Sequence, residues 1–111
     1  MRIVVVGANG QVASDVTRML ASLPRVEVRP VARTRGGSAF LRYQGIPVLH
    51  GDISDPEQAK CLLDGAGIVA NFALASGNPA EALARNTAII RQTFLSSPPD
   101  ATVVFFSTLS V

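Results

Sequence analysis

Cysteine occurs once in the 111-residue chain, at Cys61, so no intrachain disulfide can form, and with nothing addressing the chain elsewhere a cytoplasmic location is expected. No apolar run approaches the roughly 20 residues needed to cross a bilayer. The apolar stretch from Ile3 to Val6 is too short for a signal-peptide core, so no membrane partner is expected. Histidine also occurs once, at His50, without metal-ligand partners. It reads as packing at a strand end, and no metal site is expected. Charge is sparse, at 16% of residues against 48% apolar, which excludes disorder and suits a sheet covered by helices. Internal repeats, low-complexity tracts and hinge-like linkers are absent, leaving one domain large enough to bury a core.

The charge that is present is unevenly spread. Residues 1–50 carry seven arginines against Asp15 and Glu27, whereas residues 51–111 carry Lys60, Arg85 and Arg91 against six acids. A basic half can mark a nucleic-acid surface. Here the arginines are not interleaved with aromatics, and no zinc-finger or helix-turn-helix signature accompanies them. A local phosphate site explains Arg33 and Arg35 with less strain, and no nucleic-acid partner is expected.

What is present begins at the N-terminus. Arg2–Val6 reads as a buried strand, and it breaks into Gly7-Ala-Asn-Gly10-Gln-Val-Ala13. Gly7 permits a tight turn. Gly10 removes the side chain that would hold the backbone away from a pyrophosphate, and the following helix aims its free N–H groups at that anion. Ala13 sits where helix and strand must pass closely. The order strand, glycine turn, helix points to a dinucleotide site, with a purely structural turn as the competing reading. No Gly-Lys-Ser/Thr follows, so a Walker-type phosphate loop is not expected.

Further elements alternate along the chain. Gln11–Leu23 reads as a helix whose apolar face comprises Val12, Val16, Met19, Leu20 and Leu23. Val26–Val31 reads as a second strand, with Pro30 suggesting an edge or an ending. A loop over Arg33–Ser38 leads to a short helix through Phe40, Leu41 and Tyr43, then to a third strand within Gly45–Gly51. Ser54 is the expected cap of a helix opening Asp55-Pro56-Glu57, burying Ala59, Leu62 and Leu63 and stopping at Gly65. Gly67–Phe72 gives strand four. Asn78-Pro79 opens a long helix over Ala80–Leu95, with Leu83, Thr87, Ile90 and Phe94 expected inward, and Thr102–Phe106 gives strand five. Right-handed crossovers between five such strands make a doubly wound α/β fold, a parallel sheet in order 3-2-1-4-5 within three αβα layers. Its ligand edge is the carboxyl end of the strands.

Several residues fall on that edge. Arg33 follows strand two, where the adenosine ribose would face it. No acid is available at Ala32–Arg35 to take a 2′-hydroxyl, and a guanidinium suits a 2′-phosphate, so NADP is expected over NAD. Asp52 and Ile53 follow strand three and suit an adenine amino group and ring, with helix capping by Asp52 as the alternative. Phe72, Ala73 and Leu74 close strand four with backbone able to lie against a cofactor. Ser107 and Thr108 place hydroxyls after strand five, either at a reacting group or simply at a strand terminus. Cys61 reads as core.

Taken together these residues resemble the extended short-chain dehydrogenase/reductase family, and within it the NAD-dependent epimerase/dehydratase group acting on nucleotide sugars. The glycine motif is similar to Gly7-Ala-Asn-Gly10-Gln-Val-Ala13, the acid-aliphatic adenine contact to Asp52-Ile53, the helix-four asparagine to Asn86, and the strand-five signature to Thr108-Leu109-Ser110-Val111. The resemblance implies a Rossmann-like NAD(P)-binding fold, with Gly7, Asn9, Gly10, Gln11, Val12, Arg33, Asp52, Ile53, Phe72, Ala73, Leu74, Asn86 and Ser107 at the cofactor. It implies a catalytic hydroxyl on Thr108. It further implies reversible oxidation of a sugar C–OH with a Tyr-x-x-x-Lys pair as proton donor and acceptor.

Tyr43 is the sole tyrosine, and the position four residues on is Pro47. Residues 1–111 therefore read as the NAD(P)-binding part of a longer enzyme, ending before the catalytic pair. Alone, the chain is expected to bind a dinucleotide weakly, to turn nothing over and to self-associate through the surface a missing half would cover. A non-catalytic NADP-binding or regulatory module, and a flavodoxin-like nucleotide binder, are the alternatives.

Overall fold

The computed structural model describes residues 1–106. Its elements are β1 (Arg2–Val6), α1 (Gln11–Ala21), β2 (Glu27–Ala32), a single 3-10 turn at Gly36–Ser38, α2 (Ala39–Tyr43), β3 (Leu49–His50), α3 (Pro56–Leu62), β4 (Ile68–Asn71), α4 (Pro79–Ser96) and β5 (Thr102–Phe105). The strands form one five-stranded sheet in the order β3-β2-β1-β4-β5, and every pairing is parallel. This is the doubly wound, three-layer αβα arrangement expected from the alternation of elements.

The central position of β1 follows from its β-branched run. Val4 and Val6 enter the core shared with Ala59 and Leu62 of α3 and Ile89 of α4, while Ile3 and Val5 enter the core shared with Ala13 of α1 and Leu41 of α2. A strand buried on both faces needs apolar residues at consecutive positions. Each such side chain contributes roughly 1.5–3 kcal/mol of burial free energy. Pro30 is buried within β2, opposite Val5 of β1. It is tolerated because β3 pairs with β2 only at Val31 and Ala32.

Two helix faces differ from the periodicity expectation. α1 ends at Ala21 rather than Leu23 and buries Ala13, Ser14 and Thr17, leaving Val12, Met19 and Leu23 exposed and Val16 and Leu20 half-buried. The reason is close approach to the sheet, which small side chains permit. The two buried hydroxyls are satisfied by backbone, Ser14 Oγ donating to Ala8 O at 2.9 Å and Thr17 Oγ1 to Ala13 O at 2.7 Å. α4 buries Ile89 and Thr93, whereas Leu83, Ile90 and Phe94 of the expected inward stripe are 69%, 47% and 61% exposed. The apolar stripe exists, but Leu83 and Ile90 lie on the surface and Phe94 meets only the edge strand, its ring centroid 5.2 Å from that of Phe105 in β5. The cap of α3 is Asp55 rather than Ser54, with its Oδ1 accepting from Glu57 N at 3.3 Å. Cys61, expected in the core, is exposed because α3 buries its Ala59–Leu62 side.

Candidate functional site

Where β1 ends, Gly7 turns the chain with φ +78°, and a Cβ there would lie 2.6 Å from Ala73 N and 2.8 Å from Ala73 Cα. Glycine is thus required by the protein itself, at the point where the loop after β1 passes the end of β4. Gly10 differs. It is the N-cap of α1 with an ordinary φ of −73°, and an added Cβ would approach nothing nearer than Gly7 O at 3.8 Å. Space lies over Gly10.

That space is a cavity of about 550 Å³ along the carboxyl ends of the strands, lined by Gly7, Asn9, Gly10, Arg33, Asp52, Ile53, Phe72, Ala73 and Leu74 among others. α1 presents its first turn there without a side-chain cap and without an acidic residue. α3 and α4, by contrast, are capped by Asp55 and Asn78 and carry Glu57 and Glu81 in their first turns. The N–H groups at the start of α1 precede the first intrahelical bond, Ser14 N to Gly10 O at 2.8 Å, and the helix leaves its positive end for an anion.

The sequence-selected residues divide into four sets. The nine named above share the cavity. Gln11 and Val12 lie at the exposed start of α1, outside the lining side chains. Asn86 lies behind the wall rather than in it. Its Oδ1 accepts from Ala75 N at 2.8 Å and its Nδ2 donates to Ala75 O at 3.2 Å, pinning the loop that follows β4. Ser107 and Thr108 lie outside the described residues.

Asp52 is held from its own loop. Its Oδ1 accepts from Ser54 N at 2.9 Å and from Ser54 Oγ at 2.6 Å, so it caps no helix. Partial burial works to raise its pKa, but the two Ser54 hydrogen bonds and the Arg85 and Arg33 guanidinium groups outweigh it and hold the carboxyl below its ordinary value. Arg85 comes from α4 and lines the cavity, with NH2 3.8 Å from Asp52 Oδ2. It is missing from the expected site because the apolar stripe of α4, not Arg85, was expected to face inward. The stripe at four-residue steps that does face the sheet and cavity runs through Arg85, Ile89 and Thr93, and Asn86 next to Arg85 was the available signal. Asn71 ends β4 from within the core. Its Oδ1 accepts from Ala73 N at 2.8 Å and its Nδ2 donates to Thr93 Oγ1 at 3.3 Å, which fixes Ala73 under the cavity.

Among the described residues no group of three or more His, Cys, Asp or Glu side chains is placed to hold a metal, and no helix is long and apolar enough to cross a membrane. Tyr43 lies at the end of α2, 87% exposed and outside the cavity lining.

Similar folds recur among solved structures. Pen from Bacillus thuringiensis superposes with a TM-score of 0.78 at 20% identity, over 93% of this chain and 36% of that one. A short-chain dehydrogenase/reductase superfamily protein from Agrobacterium tumefaciens, solved with bound NAD, gives 0.75 at 22% identity, over 95% and 32%. Triphenylmethane reductase from Citrobacter sp., solved with NADP(H), gives 0.65 at 22% identity, over 85% and 34%. The chain thus spans about a third of the length of these proteins. No curated protein matches it. The model of the NAD dependent epimerase/dehydratase family matches residues 3–97. That match runs through every element framing the cavity, from Ile3 in β1 to the residue that caps the end of α4, and the chain belongs to the NAD dependent epimerase/dehydratase family.

Proposed function

We propose that residues 1–111 form the NAD(P)-binding domain of an oxidoreductase whose further part acts on a hydroxyl or carbonyl group, with nucleotide sugars as the substrate class and NADP as the preferred cofactor. The observation carrying this reading is Gly10. Among the described residues nothing nearer than Gly7 O at 3.8 Å crowds a side chain there, yet the residue faces the cavity at the uncapped start of α1. A structural turn explains Gly7 and leaves Gly10 unexplained, whereas a pyrophosphate pressed against the backbone explains both.

The residues suit the dinucleotide along its length. Gly7, Asn9, Gly10, Gln11 and Val12 would hold the pyrophosphate through backbone and the start of α1. Arg33 would take the 2′-phosphate, Asp52 and Ile53 the adenine, and Phe72, Ala73 and Leu74 the rest of the cofactor, with Asn86 holding the loop in shape. Bound nicotinamide supplies hydride chemistry. On the family resemblance alone, Ser107 would contact the cofactor and Thr108 would hydrogen-bond the reacting oxygen. Relatives in fold have been solved with NAD and with NADP(H), so the preference for NADP rests on Arg33 and the lack of an acid beside it.

Parallel calorimetric titrations with NADPH and NADH test the reading. Tighter binding of NADPH, reduced by Arg33→Ala, supports it. Preference for NADH would discard Arg33 as selector, and binding of neither would remove the proposal. Self-association through the outer face of α4 and the neighbouring edge of β5 is also proposed, supported by the exposure of Leu83, Ile90, Phe94 and Phe105.

A further inference from the structure

We propose that Arg85 and Asp52 together read the base of the dinucleotide, as a donor–acceptor couple that selects adenine over hypoxanthine. The inference rests on the dinucleotide reading of the cavity and concerns a residue that the family resemblance did not single out.

Both side chains have hydrogen-bonding capacity left unused among the described residues. Arg85 approaches Asp52 Oδ2 at 3.8 Å, too far for a hydrogen bond, and donates to no acceptor among the described residues. Its Nε is buried without a partner there. A guanidinium carries five N–H donors, and with the Arg85 side chain 42% exposed at the cavity its outer nitrogens are open to a bound group. Asp52 is satisfied on one side only. Oδ1 accepts twice from Ser54, while Oδ2 makes no hydrogen bond among the described residues and has Arg85 3.8 Å away. One wall of the cavity therefore sets an unfilled carboxylate acceptor beside unfilled donors.

Adenine is the complement of that wall. Its N6 amino group donates, and the neighbouring N1 accepts. Hypoxanthine reverses both, with an oxygen acceptor at position 6 and a proton on N1. Against hypoxanthine, Asp52 would face a carbonyl oxygen and Arg85 would face an N–H, so the same couple attracts one base and repels the other. Arg85 also carries the discrimination in a way Asp52 alone would not. A carboxylate without a neighbouring donor is free to turn and accept the N1–H of hypoxanthine.

The test is calorimetric titration of the 111-residue chain with NADPH and with its hypoxanthine counterpart, for the natural protein, Arg85→Ala and Arg85→Lys. Arg85→Met, which keeps the apolar stem, replaces the alanine variant if that one melts early. The natural chain should bind the adenine form about tenfold tighter or more. Arg85→Ala should bring the two within about threefold, by weakening the adenine form while leaving the hypoxanthine form equal or tighter. Arg85→Lys, retaining a donor, should restore part of the preference. An unchanged ratio in Arg85→Ala, or an equal loss for both dinucleotides as a phosphate clamp would give, overturns the base-reading role and leaves the dinucleotide site standing. Binding of neither dinucleotide by the natural chain overturns both.

Discussion

At Gly7 an added methyl group would press on the backbone of Ala73 from 2.6 Å while the residue held φ +78°. Neither contact yields by rotating a side chain, so Gly7→Ala should cost more than about 2 kcal/mol, read as a fall in the urea midpoint. Asn86→Ala removes both hydrogen bonds to Ala75 and should cost roughly 1–2 kcal/mol, with weaker dinucleotide binding as the loop after β4 loosens. Asp52 gives the pH dependence. Its carboxyl titrates below the usual 3.8, so below that value the unfolded state binds more protons than the folded one. Its contribution to stability is fully present above the ordinary carboxylate range and is lost as the pH falls through the lower folded pKa. Urea midpoints measured from pH 7 down to pH 3 should therefore fall less steeply in Asp52→Asn than in the natural chain. The places of Gly7, Gly10, Arg33 and Asp52 at the cavity were legible because each follows closely on a strand end. Arg85 was not, because its meaning depends on which side of α4 faces Asp52 across the cavity mouth.

The two longest helices show what periodicity leaves open. In α1 and α4 an apolar stripe is real, but Ala13, Ser14 and Thr17 in one and Ile89 and Thr93 in the other are the buried residues. A stripe fixes a helix without fixing which surface covers it, and small hydroxyl residues whose oxygens bond to the preceding turn bury as readily as valine. Leu83→Gln and Ile90→Gln should then alter stability by no more than about 0.5 kcal/mol each, while Ile89→Ala should cost about 2–5 kcal/mol, all measured by chemical denaturation. On the self-association proposal, sedimentation of the natural chain at high micromolar concentration should show species larger than a monomer, and the paired glutamine variant should show fewer. A clean monomer in the natural chain would count against that interface. Strand identities were legible from β-branched runs bounded by turns. Their ends shifted by a residue or so, and β3 shortened to Leu49–His50, where only two residues find partners in β2.

For the molecule as a whole, right-handed crossovers and the order of apolar runs sufficed to place β1 at the centre and the ligand edge at the strand ends, and the sheet has that order. The cavity collects residues from the loops after four strands, β1 to β4, and that convergence is a property of topology rather than of any local motif. A ligand held there should stabilise the fold by about 2.7 kcal/mol at a hundredfold excess over its Kd. The measurement that bears most directly on the account compares the natural chain with Gly10→Ala, by thermal melting and by titration with NADPH. Because Gly10 has an ordinary φ and open space above it, the variant should melt within about 1 kcal/mol of the natural chain yet lose binding and ligand-induced stabilisation. A variant that binds NADPH as tightly as the natural chain would contradict the account, since the backbone at Gly10 would then not be where the pyrophosphate lies.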